Sequence, residues 1–282
     1  MSAATDERAP TGAGVGQAWQ RIWAIALNTF REAMRNRVLY VLVLFAALLM
    51  AFSIVLGELS LHEEERVIAD IGLAGISLVG LVIALFLGVN LLSKELDRKT
   101  VFFVIPKPLH RHEFLLGKYL GLAVTLLLLV AVMSATLAVV LAIEGASADI
   151  ALLRAETLVA CELLLVVAVA LLFSSFSSPY LSAMFTASLW VVGRNSGELR
   201  AFAGGKLAGT PLASLLETVA AVLPDFHVFY VSGGMLGDDT PVSIHGGFIG
   251  WGYVAEAALY GASYGGVCLA LAALLFARRD FT

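Results

Sequence analysis

Long apolar runs alternate with short polar segments along almost the whole chain. A helix needs roughly 20 apolar residues to cross the hydrocarbon core of a membrane, so each long run is a candidate span. The predicted fold class is therefore an all-α polytopic membrane protein, with residues 17–277 forming a single transmembrane domain. The runs predict six membrane-spanning helices, at residues 38–57, 71–92, 119–143, 155–173, 179–192 and 251–277.

The segment before the first span, residues 17–36, has a different pattern. Arginines and other polar residues occupy most of its surface, and the apolar side chains recur at helical spacing on one face: Trp19, Trp23, Ala26, Phe30 and Met34. Such an amphipathic helix is typical of a helix lying in the membrane interface. A polar-flanked extension of the first span is the alternative interpretation. The aromatic residues expected to anchor the helix in the interface are Trp19, Trp23 and Phe30.

Composition agrees with a membrane protein. The chain has 282 residues, of which 60% are hydrophobic and only 14% are charged, whereas soluble domains carry about 25% charged residues. The two cysteines, Cys161 and Cys268, both lie in apolar runs, which does not indicate a disulfide framework. Residues 1–16 are polar and rich in Gly and Ala, without the apolar core of a signal peptide, and we expect them to form a disordered tail.

The distribution of Lys and Arg orients the predicted bundle. If the N-terminus, residues 94–118, the turn near Ser174 and the C-terminus share one side, that side holds 13 of the 18 basic residues. Short loops rich in Lys and Arg face the cytoplasm. Six spans then leave both termini in the cytoplasm, with residues 278–282 as a short tail.

Residues 94–118 form the most densely charged stretch between the apolar runs. Pro106 and Pro108 remove backbone donors and disfavour helix in the residue before them, so we predict a helix, a rigid corner and a second helix. The second helix leads directly into the third span, and a push on the first would therefore move that span. The segment suits the docking of a soluble partner; a basic loop that binds anionic lipid is the alternative.

Residues 193–250 have an irregular pattern. An amphipathic helical pattern precedes Leu223 and Pro224, aromatic residues follow, and several glycines come after them. A short fifth span followed by an apolar external helix predicts partly re-entrant helices before the last span. Such backbone is tolerated at membrane depth only where protein or water covers it.

The motifs of several enzyme classes are missing from the sequence. The string nearest to a P-loop, Gly204-Gly205-Lys206-Leu207, has leucine where a magnesium-binding hydroxyl is needed. HExxH, GxSxG and the cysteine spacing of zinc sites are also missing. We therefore expect no catalytic residue, no metal site, no directly bound cofactor and no nucleic-acid partner.

Polar residues inside the predicted spans are few. Glu162 lies in the fourth span, Glu256 in the sixth and Asn90 in the second. A carboxylate in hydrocarbon is unfavourable, so these side chains are candidates for a translocation path or for structural hydrogen bonds between spans. Glycines four residues apart permit close helix contacts, and two such pairs occur, Gly117 with Gly121 and Gly261 with Gly265.

The stretch KELDRKTVFFVIPKPLHRHEFLLGKYLG resembles the cytoplasmic loop of ABC transporter permeases of the second exporter type. This branch includes the permeases associated with copper-enzyme maturation and gliding motility. TFREAMRNRVLYVL at residues 29–42 resembles the family's connecting helix and first span. LPDFHVFY at 223–230 and FARRDF at 276–281 resemble its external segment and its terminus. The resemblance covers nearly the whole chain.

The resemblance implies the permease subunit of an ATP-driven exporter in the bacterial inner membrane, with ATP and Mg²⁺ bound by a separate ATPase. It also implies six spans, assembly with a second permease copy or a paralogue, and contact with membrane lipids. Two alternatives stay open: a membrane scaffold or mechanical transmitter that moves no substrate, and an intramembrane enzyme that uses Glu162 and Glu256. The implied ATPase-coupling residues are Glu95, Asp97, Arg98, Thr100, Lys107, Pro108, Arg111 and Lys118.

Overall fold

A computed structural model of the chain describes residues 13–59, 64–97, 111–145, 150–205, 210, 216, 218, 223–230, 235–236, 240–241 and 250–278. Most of this part is helical. A 3-10 helix (Phe226–Phe229) and an antiparallel pair of two-residue strands, β1 (Met235–Leu236) and β2 (Thr240–Pro241), precede the last helix. The α-helices described are α1 (Ala13–Met34), α2 (Arg37–Glu58), α3 (Glu64–Asp97), α4 (Arg111–Ile143), α5 (Ile150–Phe176), α6 (Pro179–Arg194), α7 (Ser196–Gly204) and α8 (Trp251–Arg278).

Five helices in the described part of the chain are long and apolar enough to cross a membrane, namely α2, α3, α4, α5 and α8. The chain is thus a multi-pass membrane protein, as its apolar runs predicted. α6 corresponds to the predicted fifth span but has only 16 residues. At 1.5 Å per residue it covers about 24 Å, less than the hydrocarbon core of about 30 Å. The fifth predicted span, at residues 179–192, therefore stays a prediction.

α5 is the central helix of the bundle. Every side chain from Leu165 to Leu171 is buried, because α3 and α8 pack along α5 on different sides. A helix that is apolar all round belongs in the interior of a bundle. Gly88 brings α3 close to this centre, since a Cβ at that position would lie 2.7 Å from the Cβ of Ala170.

α1 packs along the first turns of α4. Gly117 and Gly121 of α4 face α1, and a Cβ at Gly121 would lie 2.5 Å from the carbonyl oxygen of Ala26. The predicted close approach at this glycine pair is confirmed, and its partner is α1 of the same chain. Trp19 and Trp23 lie away from this contact and are 63% and 64% exposed. The buried face of α1 consists of Ile22, Ala26, Thr29 and Ala33.

A tight corner joins α1 to α2. Asn36 adopts an extended backbone conformation, and its side-chain oxygen accepts a hydrogen bond of 3.1 Å from the backbone N–H of Val38. This N-cap satisfies one of the free donors at the start of α2. The hydroxyl of Tyr40 donates to the carbonyl oxygen of Met34 at 2.6 Å. These two bonds fix the direction in which α1 leaves the first span.

The contact of α1 with α4 is tested by Gly121→Ala. Because the new Cβ would collide with the backbone of α1, we expect a loss of stability of about 1–3 kcal/mol, the usual range for overpacking. The measurement is the thermal unfolding midpoint of the purified protein in detergent, which should fall by several degrees. Gly266→Ala in α8 is the matched control, because a Cβ there meets nothing within 4 Å. Equal midpoints for the two variants would contradict the packing.

Candidate functional site

The centre of the candidate site is the carboxylate of Glu162, which is 0% exposed in the middle of α5. Nη1 of Arg194 donates to Oε1 of Glu162 at 2.6 Å, and Nε1 of Trp190 donates to the same oxygen at 2.7 Å. Oγ of Ser77 donates to Oε2 at 3.3 Å. Ser77, Glu162, Trp190 and Arg194, here called the Glu162 cluster, thus join α3, α5 and α6.

The local sequence of α6 places both of its donors on one side. Trp190 and Arg194 are four residues apart, so they are neighbours on the helix surface. Arg194 is also the last residue of α6, where the negative end of the helix dipole favours a cation. Its guanidinium carbon lies 4.1 Å from the ring centroid of Tyr230 and 5.2 Å from that of Trp190. The guanidinium therefore contacts two aromatic rings and a carboxylate.

A small cavity lies beside the Glu162 cluster. Its volume is about 20 Å³, and it is bordered by α3, α5, Arg194 and the aromatic residues Phe229 and Tyr230. A polar cavity of this size can hold about one water molecule. It is far smaller than the pockets of about 300–1,000 Å³ that bind small organic molecules. The site is therefore closed in this conformation.

One side of the site is formed by the 3-10 helix (Phe226–Phe229) and by Asp225 just before it. The carboxylate of Asp225 accepts a hydrogen bond of 2.6 Å from Oγ of Ser196 and lies 3.1 Å from Nη2 of Arg200. The backbone N–H of Asp225 donates to the hydroxyl of Tyr260 in α8 at 2.8 Å. The hydroxyl of Tyr253 donates to the carbonyl oxygen of Val228 at 2.6 Å. α7 and α8 thus hold residues 225–230, here called the aromatic segment, against the Glu162 cluster.

A second ion pair lies where α4 begins. Nε and Nη2 of Arg21 donate to the two carboxylate oxygens of Glu113 at 2.9 Å and 2.8 Å. These hydrogen bonds favour the charged guanidinium and raise the pKa of Arg21. Lys118, one turn further along α4, is buried and lies 5.8 Å from the ring centroid of Phe114. α1 and α4 are therefore joined by a bidentate pair as well as by the glycine contact.

Four of the eight predicted coupling residues lie in the described part of the chain. Glu95 and Asp97 lie in the last turn of α3, and Arg111 is the first residue of α4. Lys118 has its side chain inside the bundle rather than on the surface. The remaining four, Arg98, Thr100, Lys107 and Pro108, lie outside the described residues.

The three residues predicted for a translocation path have different surroundings. Glu162 is in the interior, as expected, whereas Glu256 lies on the exposed side of α8, whose neighbouring Val254 and Ala257 are buried. Asn90 lies in α3, and its side chain is outside the described part. The structure therefore does not bring the two carboxylates into one site. Of the predicted interfacial anchors, Trp19 and Trp23 are exposed and Phe30 is half-buried.

The partners of Glu162 are not among the site residues predicted from the sequence. Arg194 falls in the predicted external segment, residues 193–250, and the pattern of the sequence indicates no role for Trp190 or Ser77. A signal was present, because Glu162 lies 16 residues before Ser178 and Arg194 lies 16 residues after it. Two antiparallel helices joined by a turn at Ser178 bring these positions to the same depth. Opposite charges at equal depth in adjacent apolar helices predict an ion pair.

The described part of the chain, a bundle with five helices long and apolar enough to cross a membrane, defines a multi-pass membrane protein. Residues 23–281 match the family model described as ABC-2 family transporter protein. The chain therefore belongs to the ABC-2 transporter family and is a permease subunit of an ABC transporter. No curated protein matches the chain at a significant level.

Double substitution tests the pairing of Glu162 with Arg194. Glu162→Gln or Arg194→Met alone leaves one charge buried without its counterion, which typically destabilises a protein by about 3–5 kcal/mol. We expect the double variant to be more stable than either single variant, because neither charge remains. Unfolding in detergent with denaturant measures this, and Glu256→Gln, on the exposed side of α8, should change little. Additive losses in the double variant would contradict the pairing.

Proposed function

We propose that this permease subunit works in an ATP-driven exporter of the bacterial inner membrane, with both termini in the cytoplasm. ATP and Mg²⁺ bind to a separate ATPase, which docks on residues 94–118. The observation that carries this proposal is the length of the two helices on either side of that segment. α3 has 34 residues and α4 has 33, so each is about 50 Å long. Both exceed the hydrocarbon core of about 30 Å, so part of each helix lies outside it, and the proposal places that part next to residues 94–118.

Two rigid connections would carry the movement of the docked ATPase into the bundle. On one side, the Arg21–Glu113 pair and the glycine contact make α1 and α4 move together. On the other side, α3 runs without interruption from Asp97 to Ser77 in the Glu162 cluster. That distance is 20 residues, or about 30 Å of helix. A displacement at residues 94–118 would therefore reach the donors around Glu162.

In this proposal the Glu162 cluster is the constriction that closes the translocation path. Its cavity is too small for a substrate, so transport requires α6 to move away from α5. α6 serves in this proposal as the short fifth of six spans, and residues 193–250 form the re-entrant part. Asn90 and Glu256 are placed on the same path at other depths.

The exposed apolar surface of the bundle supports contact with lipid and with a second permease copy or a paralogue. α2 has a row of exposed apolar side chains along one face, and α1 carries its anchors Trp19, Trp23 and Phe30 at the proposed membrane interface. A large exposed apolar surface is buried in lipid or against another subunit. The row on α2 consists of Val41, Leu44, Phe45, Leu48, Phe52 and Val55.

A scaffold or mechanical transmitter driven by an ATPase is the second candidate function. It uses the same loop and the same helices, but nothing crosses the membrane. An intramembrane enzyme is less well supported, because the only carboxylates proposed for it, Glu162 and Glu256, lie in different surroundings. Substrate-dependent ATP hydrolysis by the reconstituted complex distinguishes an exporter from a scaffold.

Charge reversal tests the proposed docking segment. Replacing Glu95 and Asp97 with lysine should abolish co-purification of the ATPase and leave membrane insertion intact. The matched control reverses Glu64 and Glu65, which lie at the opposite end of the same helix, and should retain the ATPase. If the ATPase co-purifies equally with both variants, the docking surface lies elsewhere.

Single cysteines in a background without Cys161 and Cys268 test the orientation. A membrane-impermeant maleimide should label cysteines at Ser60 and Ser243 in intact cells. A cysteine at Thr100 should react only after permeabilisation, because the proposed topology places it in the cytoplasm. Labelling of Thr100→Cys in intact cells, with protection of the other two positions, would reverse the topology.

A further inference from the structure

The surroundings of the Arg194 guanidinium have the chemistry of a binding site for an organic cation. A carboxylate oxygen lies 2.6 Å from Nη1, and two aromatic rings lie 4.1 Å and 5.2 Å from the guanidinium carbon. Aromatic faces attract cations, and most strongly where water is largely excluded. The Arg194 side chain is only 16% exposed. The site therefore binds a guanidinium already, and that guanidinium belongs to the chain itself.

We propose that Arg194 is a tethered occupant of a site for guanidinium or primary ammonium groups, and that the transported substrate is an amphiphilic organic cation which replaces it. The inference rests on the proposed function, because it names the substrate class of the same site. In the closed state Arg194 neutralises Glu162. When α6 moves away, a ligand cation takes its position between Glu162 and Tyr230.

The other residues that line the cavity indicate the polarity of the ligand beyond its charged group. Besides Ser77, Glu162, Arg194 and Tyr230, the cavity beside the cluster is bordered by apolar side chains, namely Leu73, Ala74, Ala155, Val159 and Phe229. A polar cargo would leave its own hydrogen-bonding groups unpaired against these residues, which is unfavourable. A cationic head with an apolar body matches both parts of the site. Glu162 recognises the charge, and Tyr230 recognises its flat or compact shape.

Removal of Arg194 exposes the site to a probe. In Arg194→Ala the vacated space should bind ethylguanidinium, which carries the same head group on a short apolar stem. Binding to the folded state raises the unfolding temperature, so the midpoint of Arg194→Ala should rise by several degrees in a saturable way at millimolar ethylguanidinium. Ethylurea, a neutral molecule of nearly the same shape, should have no such effect.

The controls separate a specific site from a general solvent effect. Wild type should not respond to ethylguanidinium, because Arg194 occupies the site. Arg194→Ala combined with Glu162→Gln should not respond either, because the carboxylate is gone. Arg194→Ala combined with Tyr230→Leu should need a roughly tenfold higher concentration, as expected for loss of one cation–π contact. If Arg194→Ala folds only when ethylguanidinium is present, the yield of monodisperse protein replaces the midpoint.

Three outcomes would overturn the proposal. One is an Arg194→Ala variant that does not respond to ethylguanidinium, and another is an equal response to ethylurea. The third is an equal response when Glu162 is also replaced. The measurement uses the full chain with its accompanying subunits and needs no ATP. A negative result therefore removes the cation site and leaves the exporter proposal intact. Absence of an ATPase from the purified complex would remove the exporter proposal and with it the role of the cation as substrate, while the cation site itself would still be measured by ethylguanidinium binding.

Discussion

The carboxylate of Glu162 lies in the buried centre of the bundle, where an ionised group without partners is highly unfavourable. Its donors come from α3 and α6, so both helices have to stay within hydrogen-bonding distance of α5. α6 is shorter than the hydrocarbon core is thick, and Arg194 at its C-terminus joins the end of the helix to the centre of α5. Tyr230 then covers the guanidinium. One charge pair thus positions a short helix and the aromatic segment that follows α7.

The ion pair at the start of α4 has a different character. Arg21 is about one-third exposed and Glu113 is almost fully buried, so water screens this pair more than it screens the Glu162 cluster. The main effect of this pair is to orient α1, because the bidentate contact fixes both the distance and the rotation of α1 relative to α4. Gly117 and Gly121 also position α1, since they allow a contact with its backbone that a side chain would prevent. α1 is therefore part of the bundle.

Much of the fold follows from local sequence, and much of the site does not. Apolar runs predict the long helices because a span needs a minimum apolar length, and Arg111 begins α4 where helix was expected to resume after Pro108. Glu162 was identified because a carboxylate in an apolar run is rare. Its partner Arg194 was assigned to a loop, since its helix is too short for a span and the ion pair depends on packing between helices. The position of Asp225 between α7 and α8 also depends on such packing, and the periodicity of apolar residues does not predict it.

The charge pair also sets a condition on how the site can open. If α6 moves away and nothing replaces Arg194, Trp190 leaves with it, and Glu162 is left buried with Ser77 as its donor, which does not neutralise its charge. Opening is therefore favourable only when water or another cation reaches the carboxylate at the same time. A ligand shifts a conformational equilibrium by its difference in affinity for the two states, and a cation that binds Glu162 binds only the open one. Binding of such a ligand and separation of α6 from α5 are then coupled. The closed state is therefore favoured until a cation that can replace Arg194 is present.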